Sequence, residues 1–493
     1  MTSLLPIPDP SEKREFRASH AVHPHGVTRP DRIFVNRNLR MRSVGAVGFD
    51  LDYTLANYRL REIDNLAFGL TQQKLVEHRG YPERILNLRF DPDFVVRGLV
   101  VDRRRGNLLK MDYHNYVVRA SHGLRPLGDA ERKRIYRTRR IRTSAKSYAS
   151  VDTHFHLPEV YLYASLIDDA EAHGVTMDMN SIYQDVRDMI DQAHADGSIK
   201  REIQADPGRF LDPSPRLGEF LTALREGGKK VFLLTNSESY YTDVLLSHLL
   251  EQNADRPWRS YFDLVVTDAR KPRFFQERNR PGEWKDQSPG GAPVYSGGDV
   301  WRFEKMIGFH GDEILYWGDH TYGDILRSKK SVGWRTAMII PELESEISVT
   351  ERAAGRIGQL EDAIEQHVAT LRDEQRTQNE LTRLERMLAR TETSAPEARR
   401  ELARRRDSTK ERLAHLAQER DRLHTLIARL DDECNRAYHE HWGPLFREGN
   451  EISRFGHQVR DFACIYTSRV ANFLNYPVNT YFRAPIQRMP HEL

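Results

Sequence analysis

Cysteine is nearly missing: the 493 residues include two, Cys434 and Cys464. That excludes a disulfide framework and a cysteine-rich zinc site, and it suits a reducing compartment. No apolar run of 18 residues occurs, so no membrane-spanning helix is expected. The opening Met1-Thr2-Ser3-Leu4-Leu5-Pro6 has no basic stretch leading into an apolar core. The expectation is a cytoplasmic protein with no membrane partner. Neither charge dominates: 75 Lys and Arg against 72 Asp and Glu give +3, which argues neither for nor against an anionic partner. There is no glycine-rich Walker loop, so an ATP-driven motor is not expected. The length exceeds what one core accommodates, and two or three structural units are expected.

What the chain does have is a series of short apolar runs that end in polar residues. Val44 to Phe49 reads as a buried strand followed by Asp50-Leu51-Asp52-Tyr53-Thr54. Val231 to Leu234 ends at Thr235-Asn236-Ser237, Phe262 to Val266 ends near Thr267-Asp268, and Ile314 to Trp317 ends at Gly318-Asp319. A fifth run spans Trp334 to Ile340. Strands alternating with helical stretches predict an α/β fold with a parallel, Rossmann-like sheet, whose ligands bind at the carboxyl ends of the strands. Residues 1–30 are rich in Pro, His and Arg and read as a flexible arm. Residues 346–435 differ from the rest. Leu, Ile and Val recur there at helical spacing, and Ser394-Ala395-Pro396-Glu397 is a helix-start signal, so an antiparallel helical hairpin is expected. Its arginine runs are interleaved with glutamate and read as a solvated face, with no nucleic-acid partner expected.

The residues at the strand ends suit phosphoryl transfer. Such a site must neutralise charge, align a nucleophile and protonate the leaving oxygen. Asp50 would be the nucleophile and Asp52 the general acid and base. Two carboxylates facing a dianion need a counter-charge, and Mg2+ fits, held by Asp50, Asp319 and the main-chain carbonyl of Asp52, with Asp324 either coordinating through water or orienting a basic group. Thr235, Asn236 and Ser237 would offer hydroxyl and amide groups to the phosphoryl oxygens. Lys271 would screen nucleophile and phosphate from each other. Each motif alone has a plainer reading as a turn, a helix cap or a solvated lysine. Four in this order, each closing an apolar strand, point to one site.

These motifs resemble the haloacid-dehalogenase-like superfamily, and within it the cytosolic purine 5′-nucleotidases that prefer IMP and GMP. The resemblance extends to Val35-Asn36-Arg37, Gly106-Asn107-Leu108-Leu109-Lys110, Phe274-Phe275, Tyr295-Ser296-Gly297-Gly298, Gly333-Trp334-Arg335-Thr336 and the segments after Trp442 and Phe482. It covers roughly residues 33–345 and 440–493 and is weak over the hairpin. It implies a catalytic core over 31–58, 229–345 and 436–493, and a large, mainly helical cap over 59–228. It also implies a base-recognising face. Arg187, Asp191 and His194 fall at i, i+4 and i+7, one side of a helix. Read from the residues alone, Arg187 and Asp191 are a surface ion pair; the resemblance makes them contacts to a 6-oxopurine. Phe155 corresponds to an aromatic that stacks on the base, and Lys200 to a nearby basic contact. His156 departs from the family, which has Asn at that position.

The resemblance further implies an adenine-nucleotide effector site at Arg142, Tyr322 and Lys330, although Ser150 and Asp152 nearby do not match. It implies a nucleoside as a second phosphate acceptor, and self-association as a dimer or tetramer. The expected activity is therefore Mg2+-dependent hydrolysis of purine nucleoside monophosphates. The rival readings are a phosphatase of another small phosphate monoester, or a scaffold built on an inactive core.

Overall fold

The apolar runs all become strands of one nine-stranded sheet. In the computed structural model, residues 26–137, 141–251, 256–286, 291–390, 396–486 and 489–492 are described. The strands are β1 (Phe34–Val35), β2 (Ala46–Phe49), β3 (Lys230–Leu234), β4 (Leu264–Thr267), β5 (Gly282–Asp286), β6 (Val294–Gly297), β7 (Ile314–Gly318), β8 (Arg335–Ile339) and β9 (Ile465–Thr467). Their order across the sheet is β1-β9-β8-β7-β2-β3-β4-β6-β5. Pairing is parallel from β9 to β6, with β1 and β5 antiparallel at the two edges. The central strands carry side chains buried on both faces, which is why they read as unbroken apolar runs. The first parallel strand, β2, lies between β7 and β3, so the chain reverses direction of travel across the sheet beside it. Such a switch point opens a crevice at the carboxyl ends. The expected arm lies outside the described residues over 1–25.

The chain leaves the core after β2 and returns at a bridge between Tyr58 and Leu211. Between them lie α1 (Leu60–Arg79), α2 (His156–Ala172), α3 (Met179–Ala195) and α4 (Ser198–Ala205). A five-stranded antiparallel sheet, Arg125–Pro126, Val117–His122, Asn107–Met111, Val100–Asp102 and Tyr148–Ser150 in that order, accompanies them. The following helix α5 (Leu217–Glu226) does not belong to this cap, although the expected cap ran to residue 228. Leu217, Phe220, Leu221 and Leu224 form a stripe at helical spacing that packs in the cluster holding Phe49 and Trp317. The Phe220 ring meets Phe49 edge-on at 5.5 Å.

Glu346–Pro444 forms a second unit. It is built from two long helices, α6 (Leu343–Arg390) and α7 (Pro396–Tyr438). Leu381 and Leu384 on α6, and Leu423, Leu430 and Cys434 on α7, are buried. Ion pairs Arg356–Glu433 at 3.3 Å, Glu374–Arg420 at 2.7 Å and Glu385–Lys410 at 3.8 Å join the helices in antiparallel register. Arg399, Arg400, Arg404 and Arg405 are exposed. Among the described residues, no helix is long and apolar enough to cross a membrane.

Candidate active site

Four neighbouring strands, β7, β2, β3 and β4, each end on a polar residue of the site. The Asp50 amide donates to the Trp317 carbonyl at 2.8 Å, which holds the turn after β2 against the end of β7. Asp50 Oδ1 accepts from the Leu51 amide at 2.8 Å and from Lys271 Nζ at 2.9 Å. Lys271 Nζ also meets Asp324 Oδ1 at 2.7 Å and donates to the Tyr316 hydroxyl at 2.8 Å. Burial pushes the Asp50 carboxyl up to about 6, with Lys271 pulling the other way. Burial also works against the charge on Lys271, but Asp324 and Asp50 outweigh it and hold its pKa above the usual value. Three non-glycine residues at these strand ends, Tyr53 (φ 55°), Asp268 (φ 51°) and Arg270 (φ 56°), adopt the left-handed conformation. Such conformations persist only where surrounding contacts fix them.

Asp52 is held by hydroxyls on both oxygens. Tyr58 donates to Oδ1 at 2.6 Å and Ser237 to Oδ2 at 2.6 Å. The Tyr58 and Tyr241 hydroxyls are 2.9 Å apart, extending the network. Burial raises the Asp52 pKa and the charge of Asp50 adds to it, while the hydrogen bonds from Ser237 and Tyr58 pull the other way. Ser237, expected at the phosphoryl oxygens, also holds the Asp52 side chain. Asn236 bonds to the lysine loop. Its side chain accepts from the Lys271 amide at 2.6 Å and donates to the Lys271 carbonyl at 3.2 Å. Short amide and hydroxyl side chains in tight turns bond to neighbouring backbone, and here that locks the β3 loop to the lysine loop. The Thr235 hydroxyl accepts from the Ser237 amide at 3.1 Å.

One carboxylate oxygen from each of Asp50, Asp319 and Asp324 lies within 4.8 Å of the others. Asp319 Oδ2 and Asp324 Oδ2 are buried without a hydrogen-bond partner. Burial, then the charge of Asp324, holds the Asp319 carboxyl well above the usual range, against Arg97. Three buried carboxylates beside one ammonium lack positive charge. The donor set is all oxygen, so the residues fit a hard divalent cation. Asp324 lies in this cluster and also pairs with Lys271, in keeping with the reading that it orients a basic group.

The cap contributes a second group. On α3, Arg187 donates to Asp191 at 2.8 and 3.1 Å, as a surface pair would. Its Nη1 also donates to Glu159 of α2 at 2.8 Å, a buried carboxylate. The Phe155 ring meets His194 edge-on at 5.6 Å and Tyr53 edge-on at 4.8 Å. Burial lowers both His194 and His156 to about 4, so both are neutral at pH 7. Lys200 pairs with Glu238, next to Ser237, at 2.5 Å. The structure thus joins the cap face to the loop after β3. Arg142 and Lys330 are both exposed, and no hydrogen bond or ion pair among the described residues joins them. The side chain of Tyr322 lies outside what is described.

Several partners were not visible in the sequence: Tyr58, Tyr241, Tyr316, Glu159 and Glu238, and a trio of buried Arg97 and His154 with half-buried Glu342. Arg97 donates to both Glu342 oxygens at 2.7 and 2.6 Å and to the Asp319 carbonyl at 3.1 Å. Only Tyr58 had a local signal, lying six residues beyond Asp52.

The 5′ nucleotidase family model matches residues 33–493. A 5′-nucleotidase domain-containing protein of Dictyostelium discoideum is 28% identical over 488 residues, which is 94% of this chain and 75% of the relative. Matching solved structures include a predicted phosphoglycolate phosphatase of Haemophilus somnus, 12% identical with TM-score 0.27, covering 60% of this chain and 85% of that one. They also include a 2-haloacid dehalogenase of Pseudomonas syringae, 14% identical with TM-score 0.23, covering 61% and 87%.

Proposed function

This chain belongs to the 5′ nucleotidase family, and from that premise we propose that it is a Mg2+-dependent hydrolase of purine nucleoside 5′-monophosphates, IMP and GMP ahead of AMP, acting through a phosphate ester on Asp50. The observation that carries this reading is the buried set of Asp50, Asp319, Asp324 and Lys271, with Asp52 held apart by Tyr58 and Ser237. A divalent cation bound by the three carboxylates would offset their charge and that of the phosphoryl oxygens.

The chain's own groups supply the rest. Both side-chain contacts of Asp50 fall on Oδ1, which leaves Oδ2 to attack phosphorus in line with the leaving nucleoside. As the bond from phosphorus to the 5′ oxygen breaks, protonated Asp52 gives its proton to that oxygen. Water then attacks the phosphorus of the ester, Asp52 takes the water's proton, and phosphate leaves with the Asp50 carboxylate restored. Lys271 keeps its charge throughout and steadies the phosphoryl group. A nucleoside hydroxyl in place of water would give phosphotransfer by the same steps.

For the base, Arg187 offers donors to a 6-oxo group and Asp191 an acceptor to N1–H, with Phe155 stacking beside them. A purine edge would insert between Arg187 and Asp191 while Glu159 retains the Nη1 bond. Adenine presents the opposite pattern at both atoms and would leave the polar groups that it covers unpaired, at about 1–3 kcal/mol each. Activation by an adenine nucleotide through Arg142, Tyr322 and Lys330, and assembly as a dimer or tetramer, complete the reading and rest on the family resemblance.

The test is phosphate release from IMP, GMP, AMP and pyrimidine monophosphates, with Mg2+ and with EDTA. The expected result is Mg2+-dependent release, fastest for IMP and GMP. Arg187→Ala should lower kcat/KM for IMP about tenfold while sparing p-nitrophenyl phosphate. Equal rates on AMP, or an Arg187→Ala enzyme unchanged on IMP, would favour a phosphatase of other monoesters.

A further inference from the structure

The Asp319 turn is held from outside the catalytic strands by a side chain that belongs to the insertion after β2. Arg97 lies just before the cap strand Val100–Asp102, and its side chain is fully buried. Its fork grips Glu342, which follows β8, through two bonds, and its third contact is the main-chain carbonyl of Asp319. The guanidinium also lies over the Phe455 ring, 5.3 Å from its centre. The backbone is shaped to deliver it. Gly98 has φ +88°, and a Cβ there would lie 2.6 Å from Phe455 Cβ, so no other residue suits the turn that seats Arg97.

A buried guanidinium is costly unless its charge is matched and its donors are used. Glu342 matches the charge in the bidentate geometry that suits Arg and not Lys. The bond to the Asp319 carbonyl fixes that peptide plane and therefore the direction in which the Asp319 side chain leaves it. That side chain belongs to the carboxylate cluster and, like Asp324, carries an orphaned buried oxygen.

We propose that Arg97, held by Glu342, is a positioning residue that keeps Asp319 in register with Asp50 and Asp324 for binding a divalent cation. The proposal rests on the metal-site reading given above. Arg97 touches neither substrate nor reacting atoms. It acts through the Asp319 peptide, as partners of metal ligands do elsewhere, where their loss weakens metal binding by roughly 10–100-fold.

The test is calorimetric titration of Mg2+ into the substrate-free full chain, for wild type, Arg97→Lys and Glu342→Gln, beside thermal melts in EDTA. Arg97→Lys keeps the charge and loses the fork. Glu342→Gln keeps the shape and an acceptor for the fork, and it decides the matter alone if Arg97→Lys does not fold. The expected result is Mg2+ affinity weakened about tenfold or more in both variants, with kcat recovered by excess Mg2+. Wild-type affinity in the variants overturns the proposal, and a lowered melting temperature alongside that affinity identifies a purely structural clamp. A wild-type chain that takes up no Mg2+ overturns the metal-site reading as well as this inference.

Discussion

Asp50 and His154 show how burial acts on single side chains near the site. In the proposed mechanism Asp50 is the nucleophile, and Asn at that position keeps its shape while removing the nucleophilic oxygen. Asp50→Asn should reduce phosphate release roughly 10³-fold or more, measured at saturating Mg2+, while the protein stays folded. Retained turnover would mean that another group attacks phosphorus. His154 is 1% exposed, and neither ring nitrogen has a hydrogen-bond partner. Burial, helped by Arg97 and opposed by Glu342, lowers its pKa to about 3. An unfolded histidine titrates near 6.5. Between pH 6.5 and about 3 the unfolded chain therefore takes a proton that the folded chain refuses, and stability falls as pH falls. His154→Phe removes this term. Relative to wild type, the variant should gain about 2 kcal/mol between pH 7 and pH 5, read from urea unfolding at the two values. An unchanged difference between the proteins would show that the imidazole titrates normally.

Among the elements, strand β2 shows most directly how packing aims the chemistry. Gly48 lies beneath the ring of Phe232 from β3, and a Cβ there would approach Phe232 Cζ to 2.0 Å. Phe232 in turn stacks near Tyr316 of β7, whose hydroxyl meets Lys271. Gly48→Ala should therefore destabilise the chain by about 1–3 kcal/mol and slow turnover by disturbing the neighbouring strands, seen as a lower unfolding midpoint and a lower kcat together. A variant as stable and active as wild type would mean that β2 shifts without consequence. The strands of the core were legible in the sequence because both faces are buried, so each reads as an apolar run with a polar stop. The hairpin helices were legible from their periodicity. The cap sheet was not, because its strands are short and its Arg125–Pro126 edge is exposed on both residues. The packing of α5 was not legible for a different reason: its apolar stripe announces a helix with a buried face but not which surface buries it. Arg97 and Glu342 lie 245 positions apart, and no local pattern links them. Asp50, Asp52, Lys271, Asp319 and Asp324 were legible because each directly follows a strand or lies a few residues beyond one.

On the scale of the whole chain, the two units make the metal reading testable without any assay of turnover. Binding to the folded state alone stabilises it by RT ln(1 + [L]/Kd), or about 2.7 kcal/mol at a concentration 100 times Kd. That stabilisation reaches only amides whose exchange requires the site to be lost. The oxygens that would hold the cation sit at the ends of β2 and β7 in the unit formed by Met1–Ser345 and Leu445–Leu493. Glu346–Pro444 buries its own narrow seam and carries its own cross-helix ion pairs. Saturating Mg2+ should therefore slow hydrogen exchange in β2, β3 and β7 by about 100-fold, while leaving amides near Leu381 and Leu423 at their EDTA rates. Equal slowing in both units would show that they open as one cooperative body. Slowing in neither would show that the carboxylates of Asp50, Asp319 and Asp324 hold no cation. Asp319→Asn separates the cation's effect from nonspecific salt, because it removes one carboxylate charge from the cluster and should abolish the slowing in β2 and β7 while leaving the general ionic-strength response intact.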